Sequence, residues 1–180
     1  MFIIPKIKGG PLEAIKTFNK ILNPKDHRHY VKFIYCTGEN GRLLFCDAKA
    51  LFAINTEFEI EKGYHTLSKV GADYALIPST DVTPEKYEYP QHEDLFSMCE
   101  ELIENHYDIN FSESWSLSSA FIKFSHLLSA SDHIHIIDLK YFQMLPEVTY
   151  ELFIDRKDGK PFATHFKNMT YEAIIMPIAM

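Results

Sequence analysis

The sequence predicts an α+β fold, mainly antiparallel sheet with a few helices. Three observations carry that expectation. Short apolar, β-branched and aromatic runs are separated by turn residues over much of the chain. Helical spacing of apolar residues is confined to a few stretches. The elements run in the order helix, strands, two helices, strands, which suits segregated helices on an antiparallel sheet.

The first helix is predicted over 11–22. Gly10-Pro11 opens it, with Pro at a favoured first-turn position. Leu12, Ile15, Phe18 and Leu22 recur at helical spacing, and Asn23-Pro24 ends the run. Lys16 and Lys20 sit four apart, on another face. "YVKFIYC" and "RLLFCDA" then flank the turn "TGENG", which reads as a hairpin. "ALFAINTEFEI" and "DYALIPS" continue the β character, and "STDVTPEKYEYPQ" reads as a connector. Helices are predicted at "HEDLFSMCEELIENH" and over an apolar stripe from Leu117 to Leu128. "HIHIIDL" reads as a strand and "KYFQML" as a short helix. "VTYELFIDR" and "PFATHFK" flank the turn "KDG", and "YEAIIMPI" is the final strand. Period-2 alternation sends Ile174, Met176 and Ile178 to one face and Tyr171, Ala173 and Ile175 to the other. One face is expected in the core and the other beside an apolar groove.

The 180 residues suit one domain of ordinary size or two small ones. Hydrophobic residues make up 46% and charged residues 24%, which is globular rather than disordered. No apolar run approaches the ~20 residues of a membrane span, and the N-terminus lacks the pattern of a secretory signal. Three cysteines without CxxC spacing suggest neither a disulfide framework nor a cysteine zinc site. These features predict a cytoplasmic protein with reduced thiols.

Net charge is −7, unevenly spread. Residues 1–32 hold seven Lys/Arg against two acids, and the remainder holds 11 against 23. A basic segment on an acidic body points to polyanion contact or to a merely solvated surface.

Catalytic motifs are missing. There is no GxGxxG, GxxxxGK[ST] or HExxH, and only seven glycines. His133 and His135 share one strand face at chelating spacing but lack a third ligand in sequence, and His27/His29 repeat the pattern. Cys36 and Cys46 read as small hydrophobes in apolar strands. The expectation is a non-enzyme with no cofactor and no metal.

Three motifs, in order, resemble the bacterial DNA sliding clamp, the β subunit of the replicative polymerase. "RLLFCDAKALFAI" at 42–54 looks like the clamp's Leu-x-Ala-Thr-Asp-Gly-His-Arg-Leu segment. Asp47 and Leu51 match; Cys46, Ala48, Lys49 and Ala50 do not. "YPQHEDLF" at 89–96 resembles the clamp's Phe/Tyr-Pro-Asp-Tyr-Arg-Arg-Val connector, through Tyr89 and Pro90. "YEAIIMPIAM" at 171–180 is similar to the clamp's ending, Tyr-Val-Val-Met-Pro-Met-Arg-Leu. "IIDLKYFQML" at 136–145 is a weaker echo.

The resemblance implies a clamp-like fold with units at 1–88 and 89–180, or one continuous domain. It implies a peptide pocket of Leu51, Pro90, Leu95, Ile175, Met176, Pro177 and Ile178, serving linear motifs of polymerases or other replication proteins. It implies contact with duplex DNA, without sequence specificity, through Lys16, Lys20, Lys25, Arg28 and Lys123. Closing a ring from a chain shorter than the family's would require a homo-oligomer. Two rivals stand beside this reading. One is a small protein-only interaction or regulatory protein, of phage or mobile-element type. The other is an enzyme with a metal at His133/His135.

Overall fold

The computed structural model describes residues 1–38, 41–87, 89, 106–107, 138–148, 150–157 and 160–176. The chain forms two compact units, Met1–His92 with Met169–Tyr171, and Glu93–Asn168 with Glu172–Met180. Antiparallel strands dominate and the helices are short, which is the α+β class the sequence predicts.

The first unit contains β1 (Phe2–Ile3), α1 (Leu12–Phe18), a 3-10 turn (Asn19–Ile21) and α2 (His29–Lys32). Its other strands are β2 (Ile34–Cys36), β3 (Leu43–Cys46), β4 (Ala50–Ile54), β5 (Gly63–Val70) and β6 (Asp73–Pro78). They lie in the order β1-β6-β5-β2-β3-β4, every neighbouring pair antiparallel.

The predicted first helix is present but tightens early. It is α-helical to Phe18 and 3-10 to Ile21, and Leu22 is already extended. Ala14, Ile15 and Phe18 are its buried face. Phe18 meets Phe52 at 4.5 Å and Phe45 edge-on at 5.7 Å, so the helix is docked on the β3–β4 hairpin by one ring. All five residues of β4 are buried, as are Leu43, Leu44 and Phe45 of β3.

The stretch "YVKFIYC" corrects the sequence reading. Only Ile34–Cys36 is strand, pairing Tyr35 with Leu44 and Cys36 with Leu43. His29–Lys32 turns helical instead. The Val31 carbonyl accepts the Asn23 N–H at 2.9 Å, and the His29 carbonyl accepts the Phe33 N–H. A carbonyl taken by a loop cannot enter a ladder, so tertiary context overrides β propensity here.

The β3–β4 turn is held by Asp47, whose Oδ1 accepts the N–H groups of Lys49 and Ala50, each at 3.0 Å. Ala48 sits at φ +70°, where a Cβ costs about 1–2 kcal/mol. The two Asp47 hydrogen bonds keep that conformation in place without a glycine. Strands β1 and β5 escape the sequence reading. β1 has two residues, and β5 turns from buried at Gly63–His65 to exposed at Lys69 and Val70, which blurs its pattern.

The second unit contains β7 (His106–Tyr107), α3 (Leu139–Phe142), β8 (Glu151–Lys157), β9 (Lys160–Lys167) and β10 (Tyr171–Ile175). The strand order is β10-β9-β8-β7, again antiparallel. The predicted hairpin of "VTYELFIDR" and "PFATHFK" forms, with a register shift between Asp155 and Arg156. Phe142 and Tyr150 both pack on Phe166. The helix predicted at 92–106 lies outside the described residues, save that His106 opens β7. The helix predicted from Leu117 to Leu128 also lies outside them. So does most of the strand predicted at 133–139, whose last residue opens α3. Among the described residues no helix is long and apolar enough to cross a membrane.

Phe18→Ala should destabilise the first unit by about 3–5 kcal/mol, because it deletes a ring packed on two others. Lys20→Ala, two residues on and exposed, should change stability by no more than about 0.5 kcal/mol. Urea unfolding of the two variants beside the parent measures the contrast.

Candidate nucleic-acid interface

The basic segment is a helix, a loop and a second short helix. Burying Ala14, Ile15 and Phe18 leaves the rest of α1 and the 3-10 turn toward solvent. The cations there are not equivalent. Lys16 is bound to Glu13 at 2.8 Å and lies over the Tyr74 ring at 5.2 Å. Its ammonium is held above the ordinary lysine range, first by the Glu13 hydrogen bond. Lys20 is exposed and has no ion pair among the described residues.

After Pro24 the loop is built by local capping. The Asn23 side chain accepts the Lys25 N–H at 3.1 Å, and the Asp26 carboxylate accepts the Arg28 N–H at 2.9 Å. Asp26 also takes both Arg28 Nε and Nη2, at 3.0 and 2.9 Å. That bidentate pair holds the Asp26 carboxyl well below the usual carboxylate range. The Arg28 guanidinium lies 5.7 Å from the Tyr30 ring centre. Lys25 is exposed and has no ion pair among the described residues. The four predicted DNA-contacting residues of this segment therefore divide in two. Lys20 and Lys25 present uncompensated charge, whereas Lys16 and Arg28 already hold carboxylates. Lys123 lies outside the described residues.

The predicted peptide pocket is less visible. Leu51, in β4, is buried, and Ile175 is fully buried. Met176 is half-buried just after β10. Pro90, Leu95, Pro177 and Ile178 lie outside the described residues. The expected one-sided strand is corrected: Glu172, Ala173, Ile174 and Ile175 are all buried, so both faces of β10 are covered. Glu172 is the residue that sequence reasoning missed. Its Oε1 is 2.8 Å from His165 Nε2, and His165 is fully buried on β9. Registration of His165 opposite Ile174 puts Glu172 on the same face, one diagonal step away. With Glu172 ionised, the His165 proton on Nε2 is the donor.

Tyr89, the residue before Pro90, anchors an aromatic cluster in the first unit. It stacks on Tyr35 at 4.5 Å and lies 6.2 Å from Tyr64 and 6.3 Å from Tyr30. Burial raises its phenol well above the ordinary value, and the Cys46 thiol and the three tyrosines add to the shift. Cys46 belongs to the first motif and Tyr89 to the second, whose other residues lie outside the described ones. The Tyr64 hydroxyl is buried, with no hydrogen-bond partner among the described residues, and burial pushes its phenol up to about 12. Among the described residues, no group of three His, Cys, Asp or Glu could hold a metal ion, and His133 and His135 lie outside them.

With that geometry in view, the comparisons concern fold alone. The chain is similar to the Helicobacter pylori beta clamp in its crystal structure with a DNA ligase peptide, at TM-score 0.51 and 11% identity. The match covers 99% of this chain and 65% of that one. The same clamp in complex with diflunisal matches at TM-score 0.47 and 12% identity, over 94% and 64% of the two chains. The chain thus spans about 65% of the length of the clamp it matches. No protein-family profile and no curated protein sequence matches the chain. The fold resembles a bacterial DNA sliding clamp.

Tyr64→Phe should stabilise the protein by about 1 kcal/mol at neutral pH, because it removes a buried hydroxyl that lacks a partner. The variant should also change the alkaline limb. The Tyr64 phenol is raised in the fold, so its ionisation leaves stability unaffected below about pH 10, the ordinary tyrosine value. Above it the unfolded chain ionises first, and stability falls as pH rises toward about 12. Urea unfolding at neutral pH and between these two limits should show a smaller alkaline fall in Tyr64→Phe than in the parent.

Proposed function

We propose that this chain is a non-enzymatic, clamp-like scaffold. It contacts duplex DNA without reading its sequence and tethers a replication partner through a short linear motif. The supporting observation is the fold, similar over nearly the whole chain to the Helicobacter pylori beta clamp. The concentration of Lys and Arg in residues 1–32 of an otherwise acidic chain supports the DNA contact.

In this reading residues 1–88 and 89–180 are two clamp-like units. Lys20 and Lys25 meet phosphates first, since no carboxylate competes for them. Lys16 and Arg28 join by exchanging Glu13 and Asp26 for phosphate oxygens. Lys123 is assigned from the sequence. The end of the last strand is assigned to the partner, with Met176 as the adaptable contact and Pro177 and Ile178 following it. Leu51 and Ile175 are assigned to the pocket by the sequence resemblance alone, and each is buried within its own unit. The structure of that Helicobacter clamp with a DNA ligase peptide is the precedent for a peptide ligand. Encirclement by a chain of this length requires association of copies, and a cytoplasmic setting goes with the role.

The double variant Lys20→Glu/Lys25→Glu tests the DNA half. It should lower duplex affinity about tenfold at low salt and reduce the slope of log affinity against log salt by about 2. Melting should be unchanged, since neither side chain packs. Fluorescence anisotropy with a labelled duplex measures both quantities. Unchanged binding would remove the basic segment from the site. No duplex binding by the parent at low salt would favour the protein-only reading.

A further inference from the structure

Part of the first unit has chemistry that a duplex-contacting helix does not need. The connector after β6 folds back on α2. The Thr83 carbonyl accepts the N–H groups of Lys86 and Tyr87, at 3.2 and 2.9 Å, which fixes the backbone under Tyr87. The Tyr87 ring then lies against the His29 ring, with centroids 3.9 Å apart. The Lys86 ammonium lies 5.3 Å from the Tyr87 ring centre. Both rings are half-buried rather than core. They form a two-ring step that is partly exposed among the described residues.

The stretches that carry this step hold three lysines. Lys25 and Lys86 are exposed, and Lys32 is three residues from His29 on the same short helix. Of the described acids in these stretches Asp26 is paired with Arg28, whereas Glu85 and Asp81 are exposed and have no ion pair among the described residues. The Glu85 carboxylate is turned to its own backbone N–H and the Thr83 hydroxyl, which lower its pKa. Lysines around half-exposed rings suit a ligand with phosphates and flat apolar faces. A duplex offers phosphates but keeps its base faces stacked inside. The apolar linear motif of the clamp-like reading offers no phosphates.

We propose that the His29–Tyr87 step, with Lys25, Lys32 and Lys86, is a contact site for single-stranded nucleic acid. One base stacks on the exposed part of the ring pair, and neighbouring phosphates take the lysines. Lys86 leaves the Tyr87 ring for a phosphate when a base arrives. The site overlaps the duplex contact of the clamp-like reading at Lys25 but does not depend on it.

The test uses a labelled 20-nucleotide oligo-dT and a mixed-sequence duplex, each at low salt, with the full chain. Tyr87→Ala should weaken oligo-dT binding about tenfold and leave duplex binding within about twofold, whereas Tyr87→Phe, which keeps the ring, should bind like the parent. A 5-iodouracil oligonucleotide, photocrosslinked to the unaltered protein and mapped by mass spectrometry, gives a readout that needs no variant. The crosslink should fall on Tyr87 or His29. The proposal is overturned if the parent does not bind oligo-dT, if Tyr87→Ala binds it like the parent or loses both ligands equally, or if the crosslink maps elsewhere. If Tyr87→Ala does not fold, Lys86→Glu takes its place. That exposed change should cost oligo-dT binding several-fold, and no loss would overturn the proposal.

Discussion

The Phe18 ring sets the position of the charged residues on α1 and the 3-10 turn. A seven-residue helix is too short to persist alone in water. It exists because Phe18 packs on Phe45 and Phe52, both buried in the strands of the β3–β4 hairpin. With Ile15 and Ala14 pinned beside it, the remaining directions of α1 and the 3-10 turn are the ones open to solvent. The exposure of Lys20 is thus a consequence of aromatic packing, not of any preference of lysine for a ligand. The same hairpin carries Cys46 at its end, next to the tyrosine cluster that ends in Tyr89.

Electrostatics then sort the cations. An exposed pair such as Lys16–Glu13 adds little to stability, because water and salt screen it. Its larger effect is on availability, since a phosphate must displace a carboxylate to reach Lys16. Arg28 differs. Its fork on Asp26 also closes the loop through the Arg28 N–H, so that pair shapes the entry into α2. Charge counting over residues 1–32 overstates the free positive charge for this reason. The part of it with no carboxylate partner among the described residues is Lys8, Lys20, Lys25 and Lys32.

Much of the fold was legible because periodicity and turn chemistry agreed. The helix from Pro11, the β2–β3 turn, the β8–β9 hairpin, the short helix after Asp138 and the last strand were all readable. The errors have local causes. Tyr30–Lys32 reads as the start of a strand because Tyr30 and Val31 favour one, yet a hydrogen bond from Asn23 engages the Val31 carbonyl. β5 was passed over because half of it faces water. The site was harder to read. Nothing in the spacing of Lys16 and Glu13, or of Arg28 and Asp26, announces which cations will be neutralised. Glu172 was unreadable as a buried acid because its partner, His165, lies across a turn on the neighbouring strand. The His29–Tyr87 contact joins residues far apart in sequence, so no motif could carry it.

A clamp-like scaffold should hold duplex DNA by its phosphates alone. The most direct measurement is the affinity for two duplexes of equal length and unrelated sequence, followed across a range of salt. Contact through phosphates alone gives equal affinities for the two at every salt, with log affinity falling linearly as log salt rises. Binding that ignores salt, or that prefers one sequence more than about tenfold, would contradict it.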